Sequence, residues 1–138
     1  MKQNVRISCL LFATGALSVA AGALYLFNVF GPSEREVAMW GLIESLAGML
    51  VMLSPLLIRA MAKKVWPVQG LLVANLLMQI LPAILWFQFD GRGISDGMPP
   101  SPFIASWAYA LPHIVIALMC VACFASMIPR TRVEQESI

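Results

Sequence analysis

Two ionisable residues in the middle of apolar runs are the positions in this chain that could do chemistry. Glu44 interrupts Val37 to Ile58, a 22-residue stretch with no Lys, Arg or Asp, and His113, the single histidine, interrupts another such run. A charge at the centre of a membrane helix costs about 2.5–3.5 kcal/mol on insertion scales unless it is neutralised or partnered, so such groups read as functional by default. A carboxyl and an imidazole sharing a wet pocket could relay a proton or grip a polar head group. Asn75 and Gln79 share a face with Pro82 and Trp86 by the 3.6-residue period, and Tyr109 precedes His113 by one turn. The candidate ligand-binding set is therefore Glu44, His113, Gln79, Asn75 and Tyr109, arranged around one cavity with Gln79 and Tyr109 on its wall. Asn75 and Gln79 also have a plainer reading, as hydrogen-bonding links between helices. No residue is assigned a catalytic role.

Other chemistries are weaker. Glu44 and His113 alone supply too few ligands, so no metal site is expected. Cys120 and Cys123 match C-x-x-C, but they fall mid-helix and not at a helix N-terminus where a thiolate would be stabilised. Small helical bundles of the vitamin K epoxide reductase and disulfide-bond oxidoreductase classes need a second cysteine pair on the oxidising face, and Cys9 is the only other cysteine. Structural thiols are the expectation. No Ser-His-Asp set, phosphate-cradling glycine loop or His-rich motif occurs. An enzyme is neither assigned nor favoured.

The elements that must position these residues are helices. Of 138 residues 60% are hydrophobic and only 12% charged, too few charges to cover a soluble domain of this size. Mean hydropathy is +0.83. Four apolar runs of spanning length predict an all-α, single-domain integral membrane bundle of four helices, at about 7–30, 37–58, 66–89 and 103–128. In helix 1, Thr14, Ser18 and Gly22 recur every four residues and form a ladder that lets a neighbour approach closely. Gly31-Pro32 ends that helix, and Ser33 with Glu36 reads as a capping box for helix 2. On helix 2, Gly41, Glu44, Gly48 and Pro55 share a narrow arc. Pro67 opens helix 3. Pro112 is expected to release the carbonyl of Ala108 beside His113, and Pro82 that of Met78. Residues 90–102, with two Asp-Gly pairs, form the external loop. Residues 129–138 form a polar cytoplasmic tail. Lys2, Arg6 and the apolar run to Ala23 resemble a signal peptide, but the run continues through Phe27, so an uncleaved first helix is expected.

Seven of the nine basic residues (Lys2, Arg6, Arg59, Lys63, Lys64, Arg130, Arg132) fall on one side of this layout. The positive-inside rule then places both termini in the cytoplasm of a multi-pass protein of the cell inner membrane. Trp40, Trp66, Trp86 and Trp107 lie near helix ends, as an aromatic belt would. The lipid bilayer is the first partner, with other membrane subunits or a second copy of the chain next. A net charge of +2 without basic–aromatic clusters argues against nucleic acid.

Arg6 leading into a glycine-bearing first helix (Gly15), then Gly41-Leu42-Ile43-Glu44, Gly48 and a Leu/Met run ending at Arg59, resembles the DoxX-like family of small four-helix bacterial membrane proteins. Some members serve quinone-linked thiosulfate oxidation, so the resemblance implies a quinone-linked or oxidoreductase-associated subunit and a quinone as a candidate ligand. No cofactor is evident from the residues themselves. The resemblance stops at Arg59 and transfers no activity. Two alternatives stand beside it. One is a proton-coupled small-molecule exporter using Glu44, resembling the small multidrug resistance family, although there the membrane glutamate lies on the first helix. The other is a purely structural subunit of a membrane complex.

Overall fold

The computed structural model describes residues 2–30, 35–61, 64–95 and 101–128. Among them are four helices: α1 (Lys2–Leu26), α2 (Arg35–Ala60), α3 (Trp66–Gln88) and α4 (Leu111–Met127), the last led in by a 3₁₀ turn over Ser106–Ala110. All four are long and apolar enough to cross a membrane, at 22 to 26 residues when the turn is counted with α4. At 1.5 Å per residue that is roughly 33–39 Å, enough for the hydrocarbon core of a bilayer.

Burial runs opposite to that of a water-soluble protein. Thr14, Ser18, Glu44, Ser54, Asn75, Gln79 and His113 are buried, while Leu46, Leu50, Leu56, Leu77 and Leu118 are exposed. An apolar exterior this extensive suits hydrocarbon and not water. With lipid outside, the driving force for packing is close contact and interhelical hydrogen bonding.

Close contact is built into the α1–α2 pair. A Cβ on Gly48 would stand 2.7 Å from the Val19 nitrogen and 2.8 Å from the Gly15 carbonyl oxygen, and one on Gly41 would stand 2.5 Å from the Gly22 oxygen. The two backbones therefore touch. The expected ladder of Thr14, Ser18 and Gly22 is thereby split. Gly22 and Gly15 meet α2, whereas Thr14 turns to Cys123 of α4 and Ser18 to Asn75 of α3. α1 packs on α2 and α4, and α3 packs on the same two, so α1/α3 and α2/α4 form the diagonals of the bundle. An apolar cluster of Leu11, Val51, Val68, Leu72 and Ile116 fills one end, and Tyr25, Trp86, Ile94 and Ala110 fill the other.

Several boundaries differ from expectation. α1 stops at Leu26, and Asn28 takes φ 54° in the turn that follows. Left-handed backbone is tolerated by Asn because its side chain can bond locally, and it ends a helix. The fourth helix begins as a 3₁₀ turn, and regular α-helix starts only at Leu111, with Pro112 in its first turn. Pro112 accordingly leaves no free carbonyl at Ala108, since the Leu111 N–H donates to it. Trp86 leaves the expected aromatic belt: it is fully buried, while Trp66 and Trp107 are exposed. Glu36 lies in the first turn of α2, but Ser33, its proposed capping partner, lies outside the described residues, as do Gly31-Pro32, Lys63 and residues 96–100 and 129–138.

Candidate functional site

At the centre of the bundle the diagonals are bridged by polar side chains. Glu44 comes from α2, where Gly41 and Gly48 one turn to either side keep its face thin and turned inward. Gln79 comes from α3, His113 from the first turn of α4, and Tyr25 from the last turn of α1. All are buried, and Glu44 is completely so.

Gln79 Nε2 donates to Glu44 Oε1 at 3.0 Å. Gln79 Oε1 lies 2.7 Å from His113 Nδ1. A carbonyl oxygen can only accept, so Nδ1 carries the imidazole hydrogen and Nε2 holds the lone pair. Tyr25 then donates its hydroxyl to Nε2 at 2.5 Å, and Trp86 Nε1–H donates to the Tyr25 oxygen at 3.0 Å. The result is one directional chain, Trp86 to Tyr25 to His113 to Gln79 to Glu44. It touches all four helices. Glu44 Oε1 and His113 Nδ1 stand 3.9 Å apart. Glu44 Oε2 is buried and has no hydrogen-bond partner among the described residues.

The Gln79 amide lies between Glu44 and His113 and bonds to both. Tyr109 sits beside Trp86. Its ring meets Trp86 at 4.9 Å and Phe30 at 5.7 Å between centroids, and it belongs to an aromatic lid over the chain's Trp86 end. Gly91, with φ 73°, folds the turn after α3 tightly onto the Trp86 ring. Asn75 belongs to a separate layer, where its Nδ2 donates to Ser18 Oγ at 2.9 Å and to Cys120 Sγ at 3.5 Å. Cys123 Sγ lies 3.5 Å from Thr14 Oγ1. Both cysteines are buried among apolar side chains, and neither is in a disulfide.

Two participants escaped the sequence reading. Tyr25 lies in the last turn of its helix, where a tyrosine suits a membrane interface, although it follows Ser18 by seven residues and Thr14 by eleven, the repeat of one helix face. Trp86 was already on the face of Gln79 and Asn75, and the belt rule drew it outward.

On the outer surface of the bundle, α3 and α4 part to leave a groove of about 370 Å³, walled by Leu76, Ile80 and Ile84 on one side and Ile114, Leu118 and Val121 on the other. Gln79 and His113 reach its floor through carbon atoms, and no polar atom is exposed in it. The groove has room for a quinone ring, within the range of small-molecule sites. It presents no hydrogen-bond donor to a quinone carbonyl, because both His113 nitrogens are engaged. The residues present do not make a quinone site as they stand. Among the described residues no cluster of three metal-ligating groups occurs.

No protein-family model, curated protein or solved structure matches the chain.

Proposed function

We propose that this chain is a proton-handling subunit of the cell inner membrane, both termini cytoplasmic, that holds one exchangeable proton on Glu44 at the centre of its bundle. The observation that carries this reading is the unbroken hydrogen-bond chain from Trp86 to Glu44, with a titratable carboxyl at one end and an imidazole in the middle. Glu44 Oε2, buried and unpartnered, is where a proton can be taken up without breaking a bond already made. The asymmetry of basic residues supports the orientation. The redox or transport chemistry is assigned to a partner membrane subunit.

The test is proton uptake by the full chain in lipid nanodiscs, read as a protonated-carboxyl band in pH-difference infrared spectra. Wild type is expected to show a band that Glu44→Gln lacks while its helical circular dichroism is kept. An unchanged spectrum in the variant overturns the proposal.

A second reading has its own support. Apart from Glu44 Oε2, the side-chain polar atoms from Trp86 through Tyr25, His113 and Gln79 to Glu44 all find partners within the bundle, as they would if they only fastened helices together. In that case Glu44→Leu is tolerated or stabilising, as removal of buried polar groups often is, and any activity survives it.

A further inference from the structure

We infer that Gln79 is a positioning residue that couples the protonation of Glu44 to which nitrogen of His113 carries the hydrogen. This inference rests on the proposed role of Glu44 in holding a proton. The amide of Gln79 is bonded on both sides, its nitrogen to Glu44 Oε1 and its oxygen to His113 Nδ1. The two ends of an amide are nearly equal in size but opposite in hydrogen-bonding sense. Rotation by a half turn therefore keeps both contacts and reverses both directions.

With Glu44 ionised only one direction works. The carboxylate accepts from Gln79 Nε2, so Gln79 Oε1 must receive the Nδ1 hydrogen of His113, and Tyr25 donates to Nε2. When Glu44 takes up a proton, this arrangement strands the new O–H on a completely buried side chain, at an oxygen without a partner. The reversed arrangement places it. Glu44 then donates to Gln79 Oε1, Gln79 Nε2 donates to His113 Nδ1, and His113 Nε2–H donates to the Tyr25 oxygen. Tyr25 keeps its own hydroxyl hydrogen, which turns away from His113 and loses its acceptor. One hydrogen is stranded in either case. A carboxylic acid is the stronger donor, so the phenol is the cheaper one to strand.

The proton count closes. One proton is gained, on Glu44, drawn from water at the bundle end. His113 stays neutral, and its hydrogen changes place from Nδ1 to Nε2. The groups facing Glu44 are Gln79 from α3 and His113 from α4, with Tyr25 of α1 bonded to the far side of His113. The described residues Arg6, Arg35, Glu36, Arg59, Lys64, Asp90 and Arg92 are all exposed at helix ends or turns and do not compete.

The single histidine makes the test direct. The full chain, labelled with 15N-histidine in lipid nanodiscs, gives one pair of ring-nitrogen signals, whose shifts report which nitrogen is protonated. Above the Glu44 transition seen by infrared, Nδ1 is expected to carry the hydrogen, and below it Nε2, with the same midpoint within a few tenths of a pH unit. In Gln79→Leu the tautomer is expected no longer to follow Glu44. A tautomer that stays fixed through the Glu44 transition, or an imidazole that becomes doubly protonated there, overturns the inference and leaves the proton-holding role standing. A Glu44 that takes up no proton between pH 4 and 10 overturns both.

Discussion

Tyr25 is the residue on which the central chain most depends, because it both donates and accepts. Tyr25→Phe leaves His113 Nε2 without its donor and Trp86 Nε1 without its acceptor. Interhelical hydrogen bonds in membranes are worth little each, since the unfolded helices also find partners. Two buried groups orphaned at once should still cost about 1–2 kcal/mol, read as an earlier midpoint in denaturation by SDS. A midpoint equal to wild type would mean that these groups find substitutes. Cys120 and Cys123 should behave differently. They act as small hydrophobes, so Cys120→Ala with Cys123→Ala should leave folding and Glu44 proton uptake intact. Loss of uptake at normal expression would return the pair to the functional list. The site was half legible at this scale. Glu44, Gln79 and His113 stood out because polar residues are costly in apolar runs. Tyr25 did not stand out, because a tyrosine suits an interface and an interior equally, and only the meeting of four helices decides which.

At the scale of the element, the α1–α2 pair is held by absent side chains. Gly48→Ala places a methyl within 3 Å of backbone atoms of α1, and backbone cannot swing aside as a side chain does. Overpacking of this kind costs about 1–3 kcal/mol, and separation of the pair also draws Glu44 away from Gln79. Gly70, on the first turns of α3, has nothing within 4 Å of a built Cβ. Gly70→Ala should therefore stabilise by about 0.5–1 kcal/mol through helix propensity alone. Thermal denaturation of both variants in one detergent checks the pair, and equal effects would sink the packing account. The helices themselves were plain in the sequence, since long uncharged runs have few other solutions in lipid. Their ends were less so. The left-handed turn at Asn28 and the 3₁₀ entry to α4 carry the residues of the aromatic lid, where Phe30 and Tyr109 meet Trp86. Hydropathy carries no trace of that contact.

For the whole molecule the open question is which way it faces, and the answer decides how a proton reaches Glu44. Four spans place the ends of α1 and α3 and the starts of α2 and α4 on one side, with the aromatic lid. The other side carries the start of α1, the end of α2 and the start of α3, with Arg6, Arg59 and Lys64, and Lys2, Lys63, Arg130 and Arg132 adjoin these ends in the sequence. In the proposed orientation, which keeps basic residues of short connections in the cytoplasm, the lid faces outward. The central chain runs inward from Trp86 under that lid, and the interior beyond the Asn75 layer is the apolar cluster around Leu11, Leu72 and Ile116. Protons should therefore exchange with the outer side. Reporter fusions at Lys64 and at the C-terminus are expected to read cytoplasm, and one at Ser95 the outside. With that orientation fixed in vesicles, a pH step on the outer side should change the Glu44 carboxyl band faster than an equal step on the inner side. A cytoplasmic signal at Ser95 would undo the four-span layout. A faster response from the inner side with the layout intact would mean that protons pass the Asn75 layer, and Asn75→Leu should then slow them.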